Sequence, residues 1–280
     1  SGVAPHHPSL RDTEDRIPSL CRGHWAEASW LGVWLCGSYR RNPPTELVYD
    51  PPIGFSGACE AGEGFPPDAC DNKVVGARFY IDGFLFRHEL DPQEFRSPKD
   101  ADGHGTHIAT IAAGNTVDAS LLGTRVARIS GIAPRARVAV YKACWLQPGA
   151  TRATCATSDL ARAIDDAVAD GVDIINYSLG SLETDLTAPD DLALLNAMDA
   201  GILTVVAAGN DGPDLYTIGS PSSAPWVLTA AASTQSGQLF DEAIEITAPA
   251  SLAGAISMRE ATFTPGLRSD KPLEAPLALD

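Results

Sequence analysis

The sequence predicts an α/β fold: a doubly wound, mostly parallel sheet with helices on both faces. Three observations predict it. Short β-rich runs at residues 73–80, 137–143, 172–177, 202–207 and 226–232 alternate with segments of helical period. The run that ends in Ala207, Ala208 and Gly209 is continuously apolar, the pattern of a strand buried on both faces of a parallel sheet. Two helices each stand between two such runs, which gives two βαβ units, and right-handed crossovers then make the sheet parallel.

Taken along the chain, His104 sits in the first turn of a helix with Gly103 and Gly105 on either side, so its imidazole is uncrowded. Asp102 either stabilises the amino end of that helix or is solvated. Ser158 is expected to cap the next helix with Asp159 at its positive end. Leu160, Ile164, Ala167 and Val168 form its apolar face, and Gly171 ends it. The following helix has Pro189 near its first position, Asp190 and Asp191 in its first turn, and Leu192, Leu195 and Met198 as a stripe that Gly201 terminates. Residues 11–52, with Trp25, Trp30 and Trp34 among Gly and Pro, read as a structured surface insertion rather than a binding patch. There is no internal repeat.

Composition narrows the function classes. At 280 residues and 44% hydrophobic, the chain can bury a core for one domain and the beginning of another. A net charge of -16, with 20 Lys and Arg that form no basic stripe, argues against a nucleic-acid partner. No run of about 18 apolar residues is present, so no membrane segment is expected. The first residues carry no initiator Met and no signal peptide, which reads as truncation. Six cysteines, an even count at local spacings, suit disulfides in an oxidising compartment, hence a secreted or extracellular protein.

The chemistry concentrates in three blocks. Residues 102–114 place His104 where a general base could reach a hydroxyl nucleophile, with His107 three positions on along the same helix face. Residues 202–213 end a strand in Ala207-Ala208-Gly209-Asn210, and the carboxyl ends of strands are where sites form in open α/β sheets. Residues 171–180 end a second strand in Ser178-Leu179-Gly180. Each block alone has an ordinary reading: a surface histidine, an Asn-Asp-Gly-Pro turn, a strand end. Their combination in one chain does not.

Together the three blocks resemble the histidine motif, the oxyanion-hole segment and the substrate-aligning strand of the subtilisin-like serine proteases. The finer resemblance is to the cucumisin-like branch, carried by residues 59–65, 70–78, 140–145 and 220–226. The likeness covers nearly the whole chain apart from residues 11–55. It implies a serine endopeptidase in which His104 is the base, His107 is structural and Asn210 donates to the oxyanion. It also implies that Ser178, Leu179 and Gly180 pair with the backbone of a peptide or protein substrate. Ala207, Ala208 and Gly209 would form the other wall of the primary specificity pocket. The branch pairs the positions matching Cys59 and Cys70, which bracket a short loop; Cys144 with Cys155 is expected likewise, leaving Cys21 with Cys36. No cofactor and no required metal are expected: the chain has no H-E-x-x-H, no C-x-x-C and no D-x-D-x-D-G loop.

The departures from the family pattern are informative. Residues 1–10 look like the continuation of the turn that carries the triad Asp, with that Asp one residue ahead of Ser1; Asp12 and Asp15 lie too far along. No Gly-Thr-Ser-Met-Ala string supplies a nucleophile. Residues 246–254 resemble the start of an inserted protease-associated domain. The expectation is therefore an internal fragment, with 1–240 a partial peptidase domain and 241–280 the start of the insertion, inactive on its own. The alternative is a non-catalytic peptide-binding module on a degenerate version of the same fold, against which the intact His104 and Asn210 weigh.

Overall fold

A computed structural model describes residues 2–12, 49–121, 124–233, 243–246 and 254–257. The expected Cys21–Cys36 pair and the three tryptophans at 25, 30 and 34 lie outside these residues, as does most of 241–280. The described chain divides into two compact units, residues 1–117 with 130–231, and residues 118–129 with 232–280.

In the larger unit, β1 (Val74–Phe79) runs parallel to β4 (Val138–Lys142), with Phe79 opposite Lys142. A second parallel sheet is ordered β7 (Ile174–Tyr177), β8 (Leu203–Ala207), β9 (Leu228–Ala230). A small antiparallel pair, β5 (Cys144–Trp145) and β6 (Thr154–Cys155), is crossed by the Cys144–Cys155 disulfide. A second disulfide joins Cys59 to Cys70 across an 11-residue separation. Both bridges are as expected. The helices of this unit are a 3-10 turn at Pro8–Leu10, then α1 (Asp82–Leu85), α2 (His104–Ala113), α3 (Thr157–Asp170) and α4 (Pro189–Asp199). In the smaller unit β2 (Val117–Leu121), apart from Val117, pairs with β3 (Thr124–Ile129), and β10 (Ala243–Ile246) is antiparallel to β11 (Gly254–Ser257).

Apolar burial explains how the helices of the larger unit lie. One face of the β1–β4 pair gives Val74, Ala77, Val138 and Val140 to a cluster with Val3, Leu10, Phe65 and Ala109 of α2. Tyr141, on the opposite face of β4, packs against the cluster that contains Leu160 and Ile164 of α3, and its hydroxyl donates to Asp170 at the end of that helix. Helices therefore flank this pair on both sides. At the second sheet Tyr177 and Val206 meet Ile164, Leu194 and Ala197. On the other face of that sheet Ile174, Leu203 and Leu228 are half exposed or more.

Two expectations about helix details are corrected. Helix α3 starts at Thr157 after Ala156, and Ser158 does not cap it. Asp159 stands in the first turn of α3, as expected, and also reaches across to α1, where its two carboxylate oxygens accept from the amides of Gly83 (2.8 Å) and Phe84 (2.9 Å). A carboxylate there satisfies two orphan amides of a helix start, which explains why it is buried. Helix α4 also turns the other way round from the expected stripe. Leu192 and Met198 are exposed, while Asp190, Asp191, Ala193, Leu194 and Ala197 are buried. The small alanines let α4 lie close to α3 and β8, and the first turn is drawn inward because Asp190 accepts from the Tyr177 hydroxyl and Asp191 from that of Ser220. The remaining face of α3 is as expected, with Leu160, Ile164 and Ala167 buried, and Gly171 follows it with a φ of 84°.

Candidate active site

Parallel pairing delivers two of the three sequence blocks to one place. Tyr177 lies opposite Val206 across β7 and β8, so residues 178–180 and 207–210 leave the carboxyl ends of neighbouring parallel strands side by side. Ser178, Leu179, Ala207 and Ala208 are half-buried there, and Gly180, Gly209 and Asn210 are exposed. Ala208 is tied down by its amide, which donates to Ala230 O at 2.9 Å.

A third segment, residues 219–222, completes this edge. The Ser181 amide donates to Ser220 O at 3.0 Å, the Ser220 amide to Glu183 O at 2.6 Å, and the Ser222 hydroxyl to Ala207 O. Residues 219–222 thus brace both walls at once. Gly219 makes the approach possible, because a Cβ there would lie 1.7 Å from Ser181 O. Behind it the Ser220 hydroxyl donates to Asp191 Oδ2 at 2.6 Å, while Asp191 Oδ1 is buried without a partner. Burial pushes the Asp191 carboxyl up; the Ser220 bond opposes this, and the charge of Asp190 adds to it.

His104 is the first residue of α2 and is exposed. Its amide donates to Asp102 Oδ1 at 3.0 Å, so Asp102 does stabilise the helix start. Asp100 does more. Its Oδ2 accepts from the Thr106 amide (2.8 Å) and hydroxyl (2.6 Å), and its Oδ1 from the Gly103 amide (3.0 Å). Burial alone would push this carboxyl up, but the bonds with Thr106, Asp102 and Gly103 outweigh it and hold Asp100 below the usual carboxylate range. His107 is also exposed.

The amino-terminal segment docks on this helix start. Val3 donates to Pro98 O (2.9 Å) and accepts from the Asp100 amide (3.1 Å), and the Ala4 amide donates to Thr106 Oγ1 at 2.8 Å. Gly2 has no clearance at all: a Cβ would fall 2.1 Å from Pro98 O. The far side of the same loop is held by Lys142, whose ammonium donates to Lys99 O and to Glu94 Oε1, each at 2.6 Å. Neither the docking of residues 2–4 nor the wall at 219–222 was foreseen. The first had a visible signal in Asp100, placed three residues before Gly103, as a capping acid; the second had none beyond the glycine itself.

Fold and site together define an α/β protein in which two adjacent parallel strands end side by side and a separate helix opens with histidine. The sequence profile of the subtilase family matches residues 1–268, and the chain belongs to that family. Among its relatives are two subtilisin-like proteases of Arabidopsis thaliana. SBT3.8 is 39% identical over 218 residues, which cover 72% of this chain and 27% of the relative. SBT5.5 is 40% identical over 195 residues, which cover 65% and 24%. These plant relatives agree with the cucumisin-like likeness of the loops. The chain spans about a quarter of the length of the curated relatives it matches. Of solved structures, sphericase aligns with a TM-score of 0.39 and 26% identity, covering 59% of this chain and 54% of that one. Among the described residues no cluster of three or more His, Cys, Asp or Glu is placed to hold a metal ion, and no helix is long and apolar enough to cross a membrane.

Proposed function

We propose that this chain is the part of a secreted serine endopeptidase that carries the general base and the oxyanion donor. His104 takes the hydroxyl proton of a serine supplied by sequence beyond Asp280 as that oxygen attacks the substrate carbonyl carbon, then gives it to the departing amine. Water attacks the resulting ester by the same proton path, and the acid product leaves. An aspartate entering one residue ahead of Ser1 holds the imidazole in the right tautomer. Asn210 donates to the oxygen that gains charge, Ser178, Leu179 and Gly180 pair with the substrate backbone, and Ala207, Ala208 and Gly209 wall the pocket for the side chain next to the scissile bond. Residues 241–280 begin an inserted protease-associated domain. The two disulfides fit secretion.

The observation that carries this reading is the convergence of residues 178–180 and 207–210 at the ends of two adjacent parallel strands. An extended peptide laid along one would bring its carbonyl toward the other.

On this reading the isolated 280 residues hydrolyse nothing. In the longer protein, an Asp codon before Ser1 and a Gly-Thr-Ser further on complete the triad. There Asn210→Ala is expected to lower kcat by about a hundredfold or more, a magnitude known from a subtilisin. His104→Ala is expected to lower it by several orders of magnitude. Peptidase activity that survives His104→Ala would remove the base from the scheme.

A further inference from the structure

The Thr106 hydroxyl stands at a junction of three segments. It donates to Asp100 Oδ2 at 2.6 Å and accepts from the Ala4 amide at 2.8 Å, so both of its hydrogen-bonding directions are used. It sits two residues after His104 on the first turn of α2. Asp100, which receives it, is bonded through its own amide to Val3 O, and Gly2 lies against residues 98–100 with no room for a side chain. The amino-terminal segment is thereby held at three successive residues, Gly2 and Val3 against residues 98–100 and Ala4 on the first turn of the helix. On the other side of residues 98–100, Lys142 closes the arrangement through Lys99 O and the buried Glu94.

We propose that Thr106, with Asp100 as its anchor, is a positioning residue: resting on the triad reading above, it sets the offset between His104 and the orienting carboxylate that enters just ahead of Ser1. The carboxylate would sit only a few residues from Ala4 along an extended chain, about 3.3 Å per residue. The bond from Ala4 to Thr106 therefore ties the segment that leads to the acid directly to the helix turn that carries the base. An imidazole and a carboxylate must hold hydrogen-bond distance through two proton transfers, and a displacement of about 1 Å at such a pair lowers rate by about a hundredfold. A threonine hydroxyl is suited to the task because it satisfies an acceptor and a donor at once. Valine has the same shape and offers neither, and would leave the Ala4 amide without its acceptor.

The test uses the longer protease that contains this chain, assayed on a peptide substrate from acid to alkaline pH. Thr106→Val is expected to lower kcat about tenfold or more with KM within about twofold. The acid limb of its kcat/KM profile is expected to move down by about half a pH unit, because an imidazolium that loses part of its carboxylate partner releases its proton more readily. Thr106→Ser, which keeps the hydroxyl, restores both. A hydroxyl that merely supported the helix would lower Tm and leave the acid limb in place, and that result overturns the proposal. Should Thr106→Val fail to accumulate as folded protein, Thr106→Ala and Asp100→Asn are read for the same loss of kcat, and wild-type kcat in both overturns it equally. Activity that survives His104→Ala overturns the triad reading itself. Loss of activity there, together with a wild-type profile in Thr106→Val, overturns only the positioning role.

Discussion

Lys73 and Lys142 mark opposite ends of the same parallel strand pair, and both are fully buried, yet they are held in different ways. Lys73, just before β1, donates to the carbonyl oxygens of Ala113, Pro134 and Ala136 at 2.5, 2.8 and 2.6 Å, with the Tyr49 hydroxyl at 3.2 Å. Among the described residues no carboxylate bonds it. Burial pushes its ammonium down to about 8, against the opposing charge of Asp71. Lys142, at the end of β4, is bonded to the Glu94 carboxylate and lies 4.1 Å from the centroid of the Trp145 ring. Burial pushes it down too, with Glu94 as the main opposing influence. At the amino end of the strands, then, a cation gathers backbone that water would otherwise solvate. At the carboxyl end, where residues 98–106 and the helix of His104 begin, the cation is neutralised by a partner and fixes a loop.

The difference can be broken experimentally. The largest effect is expected for Lys142→Met, which leaves Glu94 buried and unpaired and should cost about 3–5 kcal/mol in denaturant unfolding. Adding Glu94→Leu should recover most of that loss. If the single variant unfolds like wild type, the pair is not what secures the loop.

Lys73→Met is expected to cost less, about 2–3 kcal/mol, for the carbonyls it leaves without donors. No carboxylate substitution should rescue it. Hydrogen exchange sharpens the contrast: the Thr106 amide should lose protection in Lys142→Met and keep it in Lys73→Met.

A pH series separates the two further. Between about 8 and the ordinary lysine value of 10.5, the unfolded chain holds a proton at Lys73 that the folded chain has released. Stability contributed by this residue therefore rises with pH across that window, and the deficit of Lys73→Met relative to wild type should widen from pH 8 to 10.5. A constant difference across the window would show that the three carbonyls keep the ammonium charged.

The smallest effect concerns Asp191, a buried acid that, like Lys73, lacks an opposite charge in hydrogen-bond contact. Its folded pKa is raised, so its ionisation weakens the fold as pH climbs through that value. Asp191→Asn keeps an acceptor for Ser220 and removes the charge. The expected result is a gain below about 1 kcal/mol at neutral pH that vanishes once the wild-type carboxyl is protonated, read from Tm at the two pH values.

The lysines also show where a single sequence stops being informative. The five strands of the two parallel sheets were legible to within about two residues from their apolar runs, although one face of β7, β8 and β9 leaves Ile174, Leu203 and Leu228 half exposed or more. The short antiparallel strands carried no such run. The inward face of α3 was legible because leucine, isoleucine and alanine recur at helical spacing. The face of α4 was not: Leu192 and Met198 point outward while Leu194, Ala193, Ala197, Asp190 and Asp191 point inward, a choice made by the closeness of α3 and by hydroxyl partners 13 and 29 residues away. Nothing around Lys73 or Lys142 distinguishes them from solvated lysines, since the groups that hold them come from as far as 63 and 48 residues away. Motifs located the candidate site, and its supporting bonds were invisible for the same reason.

The docking of residues 2–4 also bears on the order of folding. The bond from Ala4 to Thr106 closes a loop of 102 residues, and that from Asn115 to Arg11 O one of 104. Local helices and the pairing of β7 with β8 close far shorter spans and are expected to form first. The corner that holds His104 is then assembled late, so a refolding chain would show protected helices well before its Ala4 amide stops exchanging with solvent.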